Sequence, residues 1–112
     1  LPDDAARREV REEAGIDVEL IGDRGLPWDF PGQPCQLIRP AGIQLESISP
    51  GHEHIDLVYF AHVPGSMASS HFPPVSEGFC WVRPDGLDDI AVTEEIVAWC
   101  ERAISTVSTS SA

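Results

Sequence analysis

Basic side chains are scarce in this sequence: 7 against 19 acidic ones over 112 residues, for a formal net charge of −12. That balance excludes a broad nucleic-acid or anionic-membrane surface, since either needs a basic patch facing phosphates. Long hydrophobic runs are missing too, and none approaches the roughly 18 apolar residues that would announce a transmembrane helix. Cysteine is sparse and unpatterned. Cys35, Cys80 and Cys100 are odd in number and form no C-x-x-C pair, which argues against a disulfide framework. Each sits among apolar neighbours and is expected as a buried thiol in a reducing, cytoplasmic setting. With 42% hydrophobic and 23% charged residues, and neither an internal repeat nor a second domain, the composition is that of one globular domain.

What the sequence does have is a concentration of charge near its start. Residues 3–14 are good helix formers, with Pro2 suited to the first turn and Gly15 to the left-handed position past the end, so a short helix is expected. On it Glu9, Glu12 and Glu13 stand at i, i+3 and i+4, where like charges repel. Two readings follow. Arg8 and Arg11 neutralise a solvated helix face, or a hard divalent cation is shared among the carboxylates and a ligand's phosphates. The second would reconcile an acidic chain with a phosphorylated small molecule, because the cation supplies locally the positive charge that the chain lacks.

The order of these residues carries more than their spacing. Arg8-Glu9-Val10-Arg11-Glu12-Glu13-Ala14-Gly15-Ile16 resembles the closing half of the Nudix box, in which Arg, Glu, an aliphatic residue, any residue, two Glu, any residue, Gly and an aliphatic residue follow one another. The earlier Gly and Glu of that box would precede Leu1. The resemblance implies an α/β fold, a Nudix-type α/β/α sandwich with a mixed sheet, here apparently missing its N-terminal strands and read as the downstream portion of a longer protein. On this reading the domain covers 1–104 and 105–112 is a disordered tail. A partner chain could supply missing strands, and a homodimer is one such arrangement.

The resemblance also implies the chemistry: hydrolysis, by the longer parent protein, of a diphosphate linkage in a nucleoside diphosphate derivative (a nucleotide sugar, an ADP-ribose-like molecule or an NTP) with Mg²⁺ or Mn²⁺. The 112 residues alone are expected to be weakly active or inactive. Carried over residue by residue, Glu12 and Glu13 are metal ligands, Glu9 is a ligand or general base, and Arg8 orients the glutamates. Glu77, shortly before an aromatic residue, is a further candidate ligand or base, or else a solvent-facing loop residue. The partner is a small-molecule nucleotide. The alternatives are a non-catalytic Nudix-like nucleotide-binding module and an inactive fragment.

Further along, residues 17–21 read as a short strand and 26–34, with three prolines and a glycine, as a loop. Within it Trp28 and Phe30 either stack on a base or anchor the loop on the core. Some Nudix enzymes acting on ADP-ribose carry a proline 15 or 16 residues beyond the box, and Pro31 stands at that distance. Residues 35–39 and 43–48 are expected as strands. Residues 55–63 are apolar on both faces, as in a central strand covered by helices. His52, Glu53 and His54 read as a polar hairpin loop, matching no zinc signature, or as substrate contacts. A loop is expected over 64–74 and a strand over 76–82 with Phe79 and Trp81 on the core face. A helical turn is expected at 87–90, then a helix capped by Thr93 whose apolar stripe is Ile96, Val97, Cys100, Ala103 and Ile104.

Overall fold

The computed structural model describes residues 1–64 and 78–110, without the side chains of 109 and 110. Glu77 and most of the expected loop over 64–74 lie outside these residues.

Helix α1 spans Pro2–Ala14. Leu1 caps it with its carbonyl, which accepts the Ala5 N–H at 2.9 Å. Gly15 ends it in the left-handed region at φ 72, its N–H donating to the Arg11 carbonyl at 3.0 Å. A side chain there would be strained, which is why glycine closes the helix. Strand β1, Glu19–Ile21, follows. It is shorter than the expected 17–21 because Arg11 engages the Asp17 carboxylate at 2.5 Å before pairing begins.

Residues 22–41 hold no regular strand, correcting the expectation for 35–39. Pro34 and Pro40 flank that stretch without an N–H to donate, and its only pairing among the described residues is a single bridge between Arg24 and Ile38. Strands β2, Gly42–Ser49, and β3, His52–Val58, then form an antiparallel hairpin closed at Pro50 and Gly51. Ser49 pairs directly with His52, so the His52-Glu53-His54 run is strand and not loop. After Tyr59 the chain leaves this hairpin, and β4, Phe60–His62, pairs antiparallel with β1. The expected single strand over 55–63 is thus two strands in two two-stranded sheets.

The hairpin has two unlike faces. Ile43 opposes Leu57 and Leu45 opposes Ile55, and these four side chains, from 39% exposed at Leu57 to 71% at Ile55, form an open apolar face. That overturns the expectation of cover on both sides. Gln44, Glu46, His54 and Asp56 occupy the other face, which turns toward the second helix.

That helix, α2, spans Glu94–Ser110 and continues past Ile104, where a disordered tail was expected. Thr93 caps it, accepting the Ile96 N–H on Oγ1 at 3.4 Å and the Val97 N–H on its carbonyl at 3.1 Å. Packing begins at Val97, so Ile96 in the first turn stays exposed. Trp99 does most of the docking. Its indole N–H donates to Gln44 Oε1 at 3.0 Å, its ring meets Phe60 edge to face at 6.0 Å, and Arg102 lies 5.6 Å over it. A 3-10 helix over Pro84–Asp89 packs on α2 and buries Leu87. It begins earlier than the expected turn because Pro84 presets its first residue. Residues 78–82 hold no strand, and Phe79 and Trp81 are exposed, contrary to a core placement.

Among the described residues the buried apolar side chains are Phe60 and Leu87. The radius of gyration, 15.9 Å, exceeds the about 13 Å expected of a compact chain this long. The cysteines depart from expectation as well: Cys35 and Cys80 are exposed and Cys100 is half-buried, all as free thiols, because no packed core forms around them. No helix among the described residues is long and apolar enough to cross a membrane.

Candidate functional site

Helix α1 divides its circumference by chemistry. Ala6, Val10 and Ala14 face inward and are half-buried, while Glu9, Glu12 and Glu13 are exposed on the adjoining flank and Arg7, Arg8 and Arg11 follow beyond them. The 3.6-residue period produces this arrangement directly from the order of residues. Arg8 and Glu12, one turn apart, form an ion pair at 3.6 Å. Glu13 borders a cleft of about 150 Å³ shared with Val10, Ala14, Phe79, Cys80 and Trp81, so one carboxylate of the flank sits beside two aromatic rings.

Carboxylate oxygens are the donors a hard divalent cation takes, and Mg²⁺ commonly uses one or two of them with phosphate oxygens completing its shell. The donor set on α1 fits that chemistry. Among the described residues no group of three His, Cys, Asp or Glu side chains converges closely enough to hold a metal ion by itself.

The other expected site residues fall elsewhere. Trp28 and Phe30, 50% and 63% exposed, line a cleft of about 390 Å³ with Arg24, Asp29 and Gln36. Their loop is clasped at its base, where Arg24 donates to the Gln36 carbonyl at 2.7 Å and the Leu26 N–H to Gln36 Oε1 at 3.2 Å. His52 and His54 are exposed, with ring nitrogens 3.2 Å apart and rings edge to face. Neither the Glu13 cleft nor the Trp28 cleft includes His52, Glu53 or His54. Glu77 lies outside the described residues.

One polar cluster has no counterpart in the sequence reading. Gln44 Nε2 donates to Asp56 Oδ2 at 3.3 Å and to Glu95 Oε1 at 3.1 Å. Glu46, beside them and exposed, has its carboxyl pKa raised by a hydrogen bond with Asp56, then by that group's charge, with a smaller contribution from Glu95 and with His54 opposing. The available signal was the alternation in β2, which puts Gln44 and Glu46 on one face.

The fold and the glutamate-bearing helix define a mixed α/β protein with an exposed carboxylate flank, and the comparisons with known proteins give its family. A family model described as the NUDIX domain matches residues 1–100. A crystal structure of a hydrolase of the NUDIX family from Clostridium perfringens is similar to this chain with a TM-score of 0.70 and 29% identity, over 96% of this chain and 73% of that one. No curated protein matches. The chain belongs to the NUDIX family of hydrolases.

Proposed function

We propose that this chain hydrolyses a diphosphate linkage in a nucleoside diphosphate derivative, with carboxylates from Glu9, Glu12 and Glu13 of α1 that would hold Mg²⁺ or Mn²⁺ together with the substrate's phosphate oxygens. The observation that carries the reading is their exposure on one flank of a helix that lies inside the matched NUDIX domain. The cation, when bound, neutralises phosphate oxygens and lowers the pKa of a water. The chain's own residues do the rest. Arg8, an ion-pair partner of Glu12 at 3.6 Å, restrains that carboxylate's direction. Glu9 accepts a proton from the attacking water or serves as a ligand, and Glu53 and Glu77 are the other candidate bases. Trp28 and Phe30 line a cleft of about 390 Å³ and are the aromatic candidates there for stacking on a nucleobase.

The test is turnover on a panel of nucleotide sugars, ADP-ribose-like compounds and NTPs at saturating Mg²⁺. Glu12→Gln and Glu13→Gln are each expected to lower kcat more than about tenfold, since a lost charge-stabilising group is worth at least that. Near wild-type rates in both would refute the assignment. Nucleotide binding without hydrolysis by the unaltered protein would make it a binding module instead.

A further inference from the structure

The flank of α1 beyond the glutamates is basic, in a chain that carries a net charge of −12 and whose seven basic residues are all arginine. Arg7, Arg8 and Arg11 line a cleft of about 370 Å³ together with Asp17 and Val18. At roughly 30 Å³ per water, the space holds about a dozen waters. We propose that this cleft is an anion site that takes the phosphate groups of a diphosphate without needing a cation, beside the carboxylate flank and joined to it through Arg8.

The geometry favours an anion in three ways. A guanidinium carries five N–H donors, so one carboxylate contact leaves a fork free for phosphate oxygens. Arg7 meets Asp4 through Nη2 alone at 2.7 Å, and Arg8 stands 3.6 Å from Glu12, beyond hydrogen-bonding distance. Both pairs are exposed, and exposed pairs are readily exchanged for a better acceptor. Arg11 is the i+4 neighbour of Arg7 and the i+3 neighbour of Arg8, so it sits between the two on the helix surface, and the helix fixes the backbone positions from which all three reach the cleft. Opposing them is Asp17, whose carboxylate binds Arg11 at 2.5 Å and is the one acid in the cleft lining. An incoming diphosphate therefore competes with Asp17 for Arg11, which predicts opposite effects for substitutions on the two sides.

The experiment is calorimetric titration of the chelator-treated protein with inorganic pyrophosphate and, separately, with ADP. The Arg7→Gln/Arg11→Gln variant is expected to bind each about tenfold or more weakly, and Asp17→Asn severalfold more tightly. Arg39→Gln/Arg83→Gln, an equal loss of two charges at exposed arginines outside the cleft, is expected to leave binding unchanged. ADP binding about tenfold tighter than pyrophosphate would identify the natural occupant as a nucleotide's diphosphate, and equal affinity would identify it as a free inorganic anion. Wild-type protein that takes up neither ligand, a double arginine variant that binds like wild type, or weakened binding in Asp17→Asn would each overturn the proposal. Circular dichroism checks that the variants remain folded. Because the measurement involves neither metal nor turnover, its failure leaves the hydrolysis reading standing, and absence of hydrolysis leaves this site standing.

Discussion

Gly42 is where the packing of α2 on the hairpin can be tested most directly. A Cβ at this position would lie 2.2 Å from Trp99 Cη2, 2.9 Å from Cζ2 and 3.2 Å from Cζ3. Carbon atoms rest at about 3.5–4.0 Å, so Gly42→Ala must push the indole more than about 1 Å away. The ring cannot move that far and keep its other partners. Its N–H donates to Gln44 Oε1 at 3.0 Å, a bond worth about 1 kcal/mol, and its edge contact with Phe60 adds about 0.5–1.5 kcal/mol. Overpacking itself costs about 1–3 kcal/mol. Against this stands a gain of about 0.5–1 kcal/mol from replacing a strand glycine. The net expectation is a loss of about 1.5–5 kcal/mol, or a Tm lower by about 10 °C or more for a chain of this size. Urea denaturation followed by tryptophan fluorescence measures it. In a Trp99→Leu background the obstruction is gone, so Gly42→Ala should become neutral or slightly stabilising, a coupling of at least about 2 kcal/mol. A loss below about 0.5 kcal/mol in the wild-type background, or equal losses in both, would refute the packing argument.

The carboxyl pair on the hairpin gives a pH-dependent test. Glu46 holds its proton more tightly in the folded chain than an ordinary glutamate near 4.5 does. Its stabilising contribution is therefore full below that value and lost as pH rises through the elevated one. Glu46→Gln keeps a neutral hydrogen-bonding group beside Asp56 at all pH values, so its urea midpoint should exceed that of wild type at pH about 7 and match it at pH about 4; a lower midpoint at pH about 7 would contradict the pairing. At the loop, Trp28→Ala should leave stability nearly unchanged, because the side chain is 50% exposed, yet weaken binding of an ADP-like ligand by at least about fivefold, since base stacking is worth about 1–3 kcal/mol. Fluorescence or calorimetric titration would measure this, and unchanged affinity would remove Trp28 from the site.

The parts of this fold that were legible in the sequence are those set by local rules. Helix α1 could be bounded from Pro2 and Gly15, β2 from its alternation, and the start of α2 from Thr93. The misread parts depend on tertiary choices. His52-Glu53-His54 looked like a loop because polar residues follow Pro50 and Gly51, but the turn is so tight that pairing resumes at His52. The apolar run after it reads as one strand, and nothing local marks Tyr59 as the point where the chain changes sheets. Trp99 escaped the helical stripe although it stands three residues past Ile96 and four before Ala103, on the same face, and it links α2 to Gly42, Gln44 and Phe60. In the site, the ordered Arg8 to Gly15 run revealed the glutamate flank. The arginine cleft beside it required knowing that residues 17 and 18 fold back against the helix.

The open face of the β2–β3 hairpin bears on how this protein behaves as a solute. Ile43, Leu45, Ile55 and Leu57 form a row of aliphatic side chains with no cover among the described residues, on a molecule with a net charge of −12. Long-range repulsion between molecules keeps such faces apart in dilute buffer, but it is screened within about 8 Å at physiological ionic strength. Attraction between aliphatic faces is not screened and grows with sulfate or phosphate. Colloidal stability is therefore electrostatic in origin, and dynamic light scattering should show larger particles as salt rises. Leu45→Lys, which puts a charge in the middle of the aliphatic row, should suppress them.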